Sequence, residues 1–351
     1  MRKEPTAPGP RRRWTVRRIA LPAVSLAGVV LAAVAVQRIG VSRVGHALLS
    51  VNLGWAALSL VLMCSSMVLR GESWFAVLRA AGAPVRRRDA LRGTMIGVLV
   101  SAALPGRLGE PARVVVLSRR LGSARRWVAR VAGTVFAQTL LNILALALLA
   151  IVALVGTGLF KSRGPAAAVA LGVPLAIAGI VVATPPLLQR YTDSRVRLVR
   201  RVARVVTSQI GQVRGGLRVF RKPSTGLHAA SAQLAAWALQ WLSCYVLLVA
   251  FGLDHKAGLD AAATVLLAVN LSAILPATPS NVGIFQAACV LVLAAYGVGK
   301  GAGLAYGIVL QAIEVTTALV LGVPALLTEG LSWRDIRRGA EEVEQGETPE
   351  A

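Results

Sequence analysis

Apolar residues in this chain do not alternate with polar ones over short stretches. They gather into long blocks separated by short polar or arginine-rich segments. Blocks at 19–36, 51–69, 131–155, 166–188, 229–251 and 302–327 are each of the length, about 20 residues, that crosses roughly 30 Å of hydrocarbon as a helix. Two further blocks, 91–105 and 261–276, are shorter. Each ends at a proline inside the same phrase, SAALP at 101–105 and SAILP at 272–276. Proline lacks an N–H and breaks a helix interior. The pattern therefore predicts an all-α polytopic membrane protein with about six full spans and two interrupted helices that dip in and return. Broken backbone at membrane depth is tolerated where protein or a watery cavity satisfies it.

Composition agrees: 56% of the 351 residues are hydrophobic and only 15% are charged. The formal net charge of +24 would point a soluble protein toward nucleic acid. Here the arginines cluster between apolar blocks, which is the positive-inside pattern, so no nucleic-acid partner is expected. Basic segments at the N-terminus, 70–92, 113–130 and 190–222 are expected on the cytoplasmic side of a cell inner (plasma) membrane. Both termini are expected there too. The Arg-, Ala-, Val- and Gly-rich usage points to a bacterial genome. "AVA" at 33–35 resembles a signal-peptidase site, but block 19–36 is expected to stay as an uncleaved first span.

Charge also orients the blocks. The dip 91–105 lies between two basic segments and should enter from the cytoplasmic side; 261–296 lies between weakly charged loops and should enter from the other. Span, dip, span over 51–155 and again over 229–327 then run in opposite directions, as in an inverted-topology repeat. The expected organisation is a basic tail at 1–18, a membrane domain at 19–328 and a cytoplasmic tail at 329–351. Segment 190–222 is expected to be an amphipathic helix on the inner leaflet, with Val199, Val202, Val206, Ile210, Val213, Leu217 and Phe220 on one face. Gly299, Gly303 and Gly307 form a small-residue helix contact.

Cys64, Cys244 and Cys289 have no metal-ligand spacing, and the three histidines lie far from them, so neither a metal nor another cofactor is expected. "GVGKGAG" at 297–303 lacks phosphate-loop spacing. No nucleophile–base pair stands out, so no enzyme is expected. Candidate binding residues sit at the breaks. In "LPGRLGEPAR", Arg107, Glu110 and Arg113 recur every three positions. Arginine forks suit phosphate, and Glu110 can orient either arginine; the bland alternative is an anchoring salt bridge. Gly106 and Gly109 supply backbone freedom at the break. In "LPATPSNVGIFQ", Thr278, Ser280, Asn281 and Gln286 offer uncharged hydrogen-bonding groups near a new helix start, capped by Ser280 or Asn281; ordinary capping explains them equally. Glu314, with Gln311 one turn earlier, lies mid-span, where a carboxylate costs about 2.5–3.5 kcal/mol and is functional by default. Gln138, Asn142, Gln233, Gln240 and Asn270 are read as interhelical hydrogen bonders.

The two broken segments, "LPGRLGEPAR" and "LPATPSNVGIFQ", resemble the signature segments of the lysylphosphatidylglycerol synthase transmembrane family over about 51–327. The resemblance implies an inverted-repeat, flippase-like membrane domain that moves lipids between leaflets or serves polyprenyl-linked glycan assembly. The chain departs from the family's pattern at Gln138, Thr139 and Asn142, where a Glu-Arg pair followed by Asp is usual. It departs again at Ser280-Asn281, usually Gly-Gly, and at Gln286, commonly Glu. There is no polar stretch long enough for a synthase domain. The resulting expectation is a carrier of an anionic phospholipid or polyprenyl-linked glycan precursor. The alternative is an accessory subunit that anchors or regulates a glycosyltransferase or lipid-modifying partner.

Overall fold

A computed structural model describes residues 46, 48–103, 108–122, 124–156, 223–272, 282–329, 338 and 343. The expected spans 19–36 and 166–188, the amphipathic segment 190–222 and nearly all of the C-terminal tail lie outside these residues. Among them the chain is all-helical. Eight helices follow in order: α1 (Leu53–Ala80), α2 (Arg87–Ala103), α3 (Gly109–Arg120), α4 (Ala124–Gly156), α5 (Pro223–Ala250), α6 (Leu259–Ser272), α7 (Ile284–Ala295) and α8 (Lys300–Glu329). Four of them, α1, α4, α5 and α8, are long and apolar enough to cross a membrane. The other four have 17, 12, 14 and 12 residues. At about 1.5 Å per residue these reach only about 18–25 Å, too short for the hydrocarbon core.

Long, short, short, long thus occurs twice. The packing repeats with it. When α1–α4 are exchanged for α5–α8 in order, every packed helix pair maps onto another packed pair; α4 on α6 becomes α8 on α2, for example. The direction is inverted. Asn52 N–H donates to the Ala250 carbonyl at 2.9 Å, which joins the start of α1 to the end of α5. At the opposite, basic end, Glu72 pairs with Arg87 and with His228 at 3.5 Å. There too Arg120 reaches Asp89 at 3.0 Å and bonds Glu329, which also lies 3.6 Å from Arg92. The α2–α3 hairpin therefore enters and leaves at the basic end. At the other end Thr264 of α6 meets Tyr296, which caps α7, at 3.4 Å. The α6–α7 hairpin enters and leaves there.

The halves meet along α1 and α5. Ser59, Ser66 and Ser73 recur every seven residues and are fully buried, as are Ala229, Ala236 and Ser243 on α5. Ser59 and Ser243 each donate to the other's carbonyl, at 3.0 and 2.8 Å, and Ser73 donates to Ala229 at 2.8 Å. The antiparallel register these bonds fix places Ser66 opposite Ala236. Small residues at heptad spacing let two backbones approach closely without bulky knobs. Gly303 and Gly307 pack on α7, where a Cβ would lie 3.4 Å from Val290 and 3.1 Å from Cys289, whereas Gly299 faces open space.

Three sequence expectations are corrected. Residues 70–80 are not loop: α1 runs unbroken to Ala80, because no proline or glycine cap intervenes before Gly82, whose φ of 76° ends it. Residues 113–120 are likewise the return leg of the hairpin, with Val114 to Leu117 all buried. Gly109 is not needed for an unusual dihedral, since its φ is not positive. It is needed for space: a Cβ there would collide with Ser101 Oγ and the Gly97 carbonyl.

The seam can be tested by melting in detergent. Ser59→Ala loses one interhelical hydrogen bond, about 0.6 kcal/mol. Ser66→Leu overpacks a closed interface, about 1–3 kcal/mol. The second variant should melt at a clearly lower temperature than the first, and equal shifts would argue against a close-packed seam.

Candidate functional site

The hairpins point toward each other from opposite ends, and a cavity of about 360 Å³ lies between them. All eight helices contribute to its wall. Arg70 comes from α1, Ser101 from α2, Glu110 and Arg113 from α3, Asn142 from α4 and Gln240 from α5. Asn270 of α6, Phe285 of α7, and Gln311 and Glu314 of α8 complete it. Depth follows from helix geometry. Glu314 is about 21 Å from either end of α8, and Arg113 is about 10 Å from the basic end of α3.

Arg113 is the most thoroughly positioned of the charged groups. Only 8% of it is exposed. Its Nη1 donates to Gln138 Oε1 at 2.8 Å, and its guanidinium lies over the Trp74 ring, 5.0 Å from the centroid. Trp74 is held in turn by its indole N–H on Thr134 Oγ1 at 3.0 Å. Gln138 extends the network. Its amide donates to the Arg70 carbonyl at 3.0 Å and approaches Gln233 Oε1 at 3.5 Å. Gln233 and Trp237 both donate to Asn142 Oδ1, at 2.6 and 3.2 Å. The expected interhelical bonding of Gln138, Asn142 and Gln233 is thus present, whereas Asn270 bonds back to Leu266 within its own helix. Gln240 is buried and faces the cavity.

Arg70 lies over the Trp237 ring at 5.9 Å. The Nε atoms of Arg70 and Arg113 are buried and unbonded. Glu110 and Glu314 both act electrostatically on Arg70, yet among the described residues neither carboxylate comes within ion-pair distance of it. Glu110 reaches Arg113 only at 3.8 Å and is more than half exposed. The orienting partner of Arg113 is therefore Gln138, not Glu110, because the amide is both nearer and buried.

Of the residues singled out by sequence, Glu110, Arg113, Gln311 and Glu314 line one cavity. Gln286 stands directly behind: it bonds Gln311, and its Oε1 accepts the Gly283 N–H at 2.7 Å. The cap of α7 is Gly283, at φ 91°, rather than Ser280 or Asn281, because the helix begins at Ile284. Arg107, Thr278, Ser280 and Asn281 lie outside the described residues. Sequence reasoning missed Arg70 and its aromatic support. The signal was present: Arg70 is four residues after Ser66 and three before Ser73, on the buried face of an uninterrupted helix.

Chemically, two arginine forks backed by tryptophan rings on the wall of one cavity have the geometry and charge to accept an oxyanion such as phosphate. Gln138→Leu should lower the melting temperature, because it strips Arg113 of its acceptor and leaves a buried donor unpaired, at about 1–3 kcal/mol. Gln138→Glu keeps the acceptor and should melt closer to the wild type. Identical melting of all three proteins would show that Gln138 does not hold Arg113.

No curated protein matches the chain. The family described as the lysylphosphatidylglycerol synthase TM region, however, matches residues 19–322. That range contains all of the cavity's lining residues, both hairpins and the α1–α5 seam. The chain is a member of the lysylphosphatidylglycerol synthase TM-region family.

Proposed function

We propose that this protein carries the phosphate-bearing head group of a membrane lipid between leaflets, with no bond made or broken. The observation behind this reading is the Arg70–Arg113 pair: two tryptophan-backed guanidiniums on the wall of one cavity between two hairpins. Phosphate would bridge the two forks. Acyl chains would stay in the bilayer while the head group passes.

Size narrows the cargo. At about 360 Å³ the cavity is at the low end of ligand pockets, which run roughly 300–1,000 Å³. That suits a phospholipid head group better than a lipid-linked glycan. The basic end is read as cytoplasmic by the positive-inside rule. In this orientation the α2–α3 hairpin and its ion network stand on the cytoplasmic side. The accessory-subunit reading leans on residues 190–222, outside the described helices.

Reconstitution tests the reading. Proteoliposomes carrying acyl-chain-labelled phosphatidylglycerol should lose inner-leaflet fluorescence to external dithionite faster than protein-free vesicles. Arg70→Ala and Arg113→Ala should each slow this about tenfold or more, since a hydrogen bond to a charged group contributes about 1.5–3 kcal/mol. Arg113→Lys should fall between, keeping charge but losing the fork. Wild-type vesicles that bleach no faster than empty ones would sink the carrier reading. Stoichiometric co-purification of an enzyme would then favour the accessory one.

A further inference from the structure

Among the described residues, four ionisable side chains of opposite sign line the cavity, Arg70 and Arg113 against Glu110 and Glu314, and their formal charges sum to zero. An anionic head group upsets that balance. It would leave one uncompensated negative charge on a cavity set deep in an apolar bundle, where an unpaired charge is unfavourable. Something must restore neutrality, and the two carboxylates are not equivalent candidates.

Glu110 is in the first turn of α3, where the helix dipole favours a carboxylate. It is more than half exposed and 3.8 Å from Arg113. Glu314 has none of these supports. It stands at mid-helix in an apolar span, on the cavity wall, and among the described residues its carboxylate makes no hydrogen bond and no ion pair. The groups that face it are few. Arg70 comes from α1 and Cys244 from α5. Cys289 comes from α7 and Tyr306 from its own helix. Across the cavity stand Glu110 and Arg113 of α3, with the uncharged Thr94 and Ser101 of α2, Asn142 of α4 and Asn270 of α6. Thiols and a phenol bring no charge at neutral pH. Arg70 is then the cation that bears most directly on the ionised form of Glu314, and it is one of the two that a phosphate would engage.

We propose that an anionic head group enters this site together with one proton from water, taken up by Glu314. This rests on the head-group reading above. The event is a protonation alone: the carboxylate becomes a carboxylic acid, Arg70 is released from its field to the phosphate, and the site stays neutral. By linkage, anion binding and proton binding each strengthen the other.

The test uses the purified full-length protein in detergent and dihexanoyl phosphatidylglycerol, titrated calorimetrically in two buffers of different ionisation enthalpy. The expected result is uptake of close to one proton per lipid bound. Affinity should fall as pH rises, by up to about tenfold per unit for a one-proton linkage. Glu314→Gln should still bind, with no proton uptake and no pH dependence. Dihexanoyl phosphatidylethanolamine adds no net charge and should bind, if at all, without a proton. Wild-type binding of phosphatidylglycerol with no proton uptake overturns the proposal and leaves the head-group reading standing. So does a Glu314→Gln protein that still takes up a proton. Absence of any lipid binding by the wild type overturns both. Wild-type stoichiometry decides the matter even if the variant fails to fold.

Discussion

Everything in this structure hangs on the close approach of α1 and α5. Association of helices in lipid gains nothing from expelling water, so it depends on backbone proximity and interhelical hydrogen bonds. Here both act along one seam of serines and alanines at heptad spacing. With α1 and α5 locked antiparallel, the two hairpins have only one arrangement left. Each must pack on the long helix of the other half, α2 on α8 and α6 on α4. The cavity is lined by helices of both hairpins.

The same seam explains how two arginines are kept inside an apolar bundle. A buried charge without partners is prohibitively costly. Arg113 is accommodated because Gln138 and Trp74 are carried by helices whose positions the seam fixes. Trp74 follows Ser73 directly on α1, and Gln138 touches both α1 and α5 through Arg70 and Gln233. The Gln138 amide accepts from Arg113 without neutralising it. Had Gln138 been a carboxylate, as is usual in the family's pattern, Arg113 would carry a permanent internal counter-ion and would be a weaker receptor for an external anion.

Much of this was legible in the sequence, for reasons that can be named. The four long helices, the two dips and the inverted order came from apolar block length, the repeated proline phrase and arginine placement, all of which report directly on burial and on the bilayer. What failed was reading charge as a boundary. The sequence-based span ends at residue 69, before Arg70 and Glu72, and 113–130 reads only as a basic segment on the cytoplasmic side. In both stretches the residues between the charges, Ser73, Trp74 and Val114 to Leu117, kept a buried helical face. Gly109 was read for its backbone freedom, but only the packed hairpin shows that Ser101 and Gly97 occupy the space a Cβ would need. The partnership of Arg113 with Gln138 joins residues whose proximity no local pattern encodes.

The packing of the two halves is interchangeable, but their chemistry is not. Helix pairs map onto each other under exchange, while the arginines come from the first half and the second contributes amides and Glu314. On the carrier reading proposed above, each half could take the other's part in a second conformation, opposite in access. The ion pairs among α2, α3 and α8 stand at the basic end, and among the described residues no counterpart stands at the other. On the carrier reading, that difference would favour closure at the basic end. A ligand shifts such an equilibrium only through contacts that differ between the two states. The charged half, whose hairpin the ion pairs restrain, is where an anionic cargo would find such contacts.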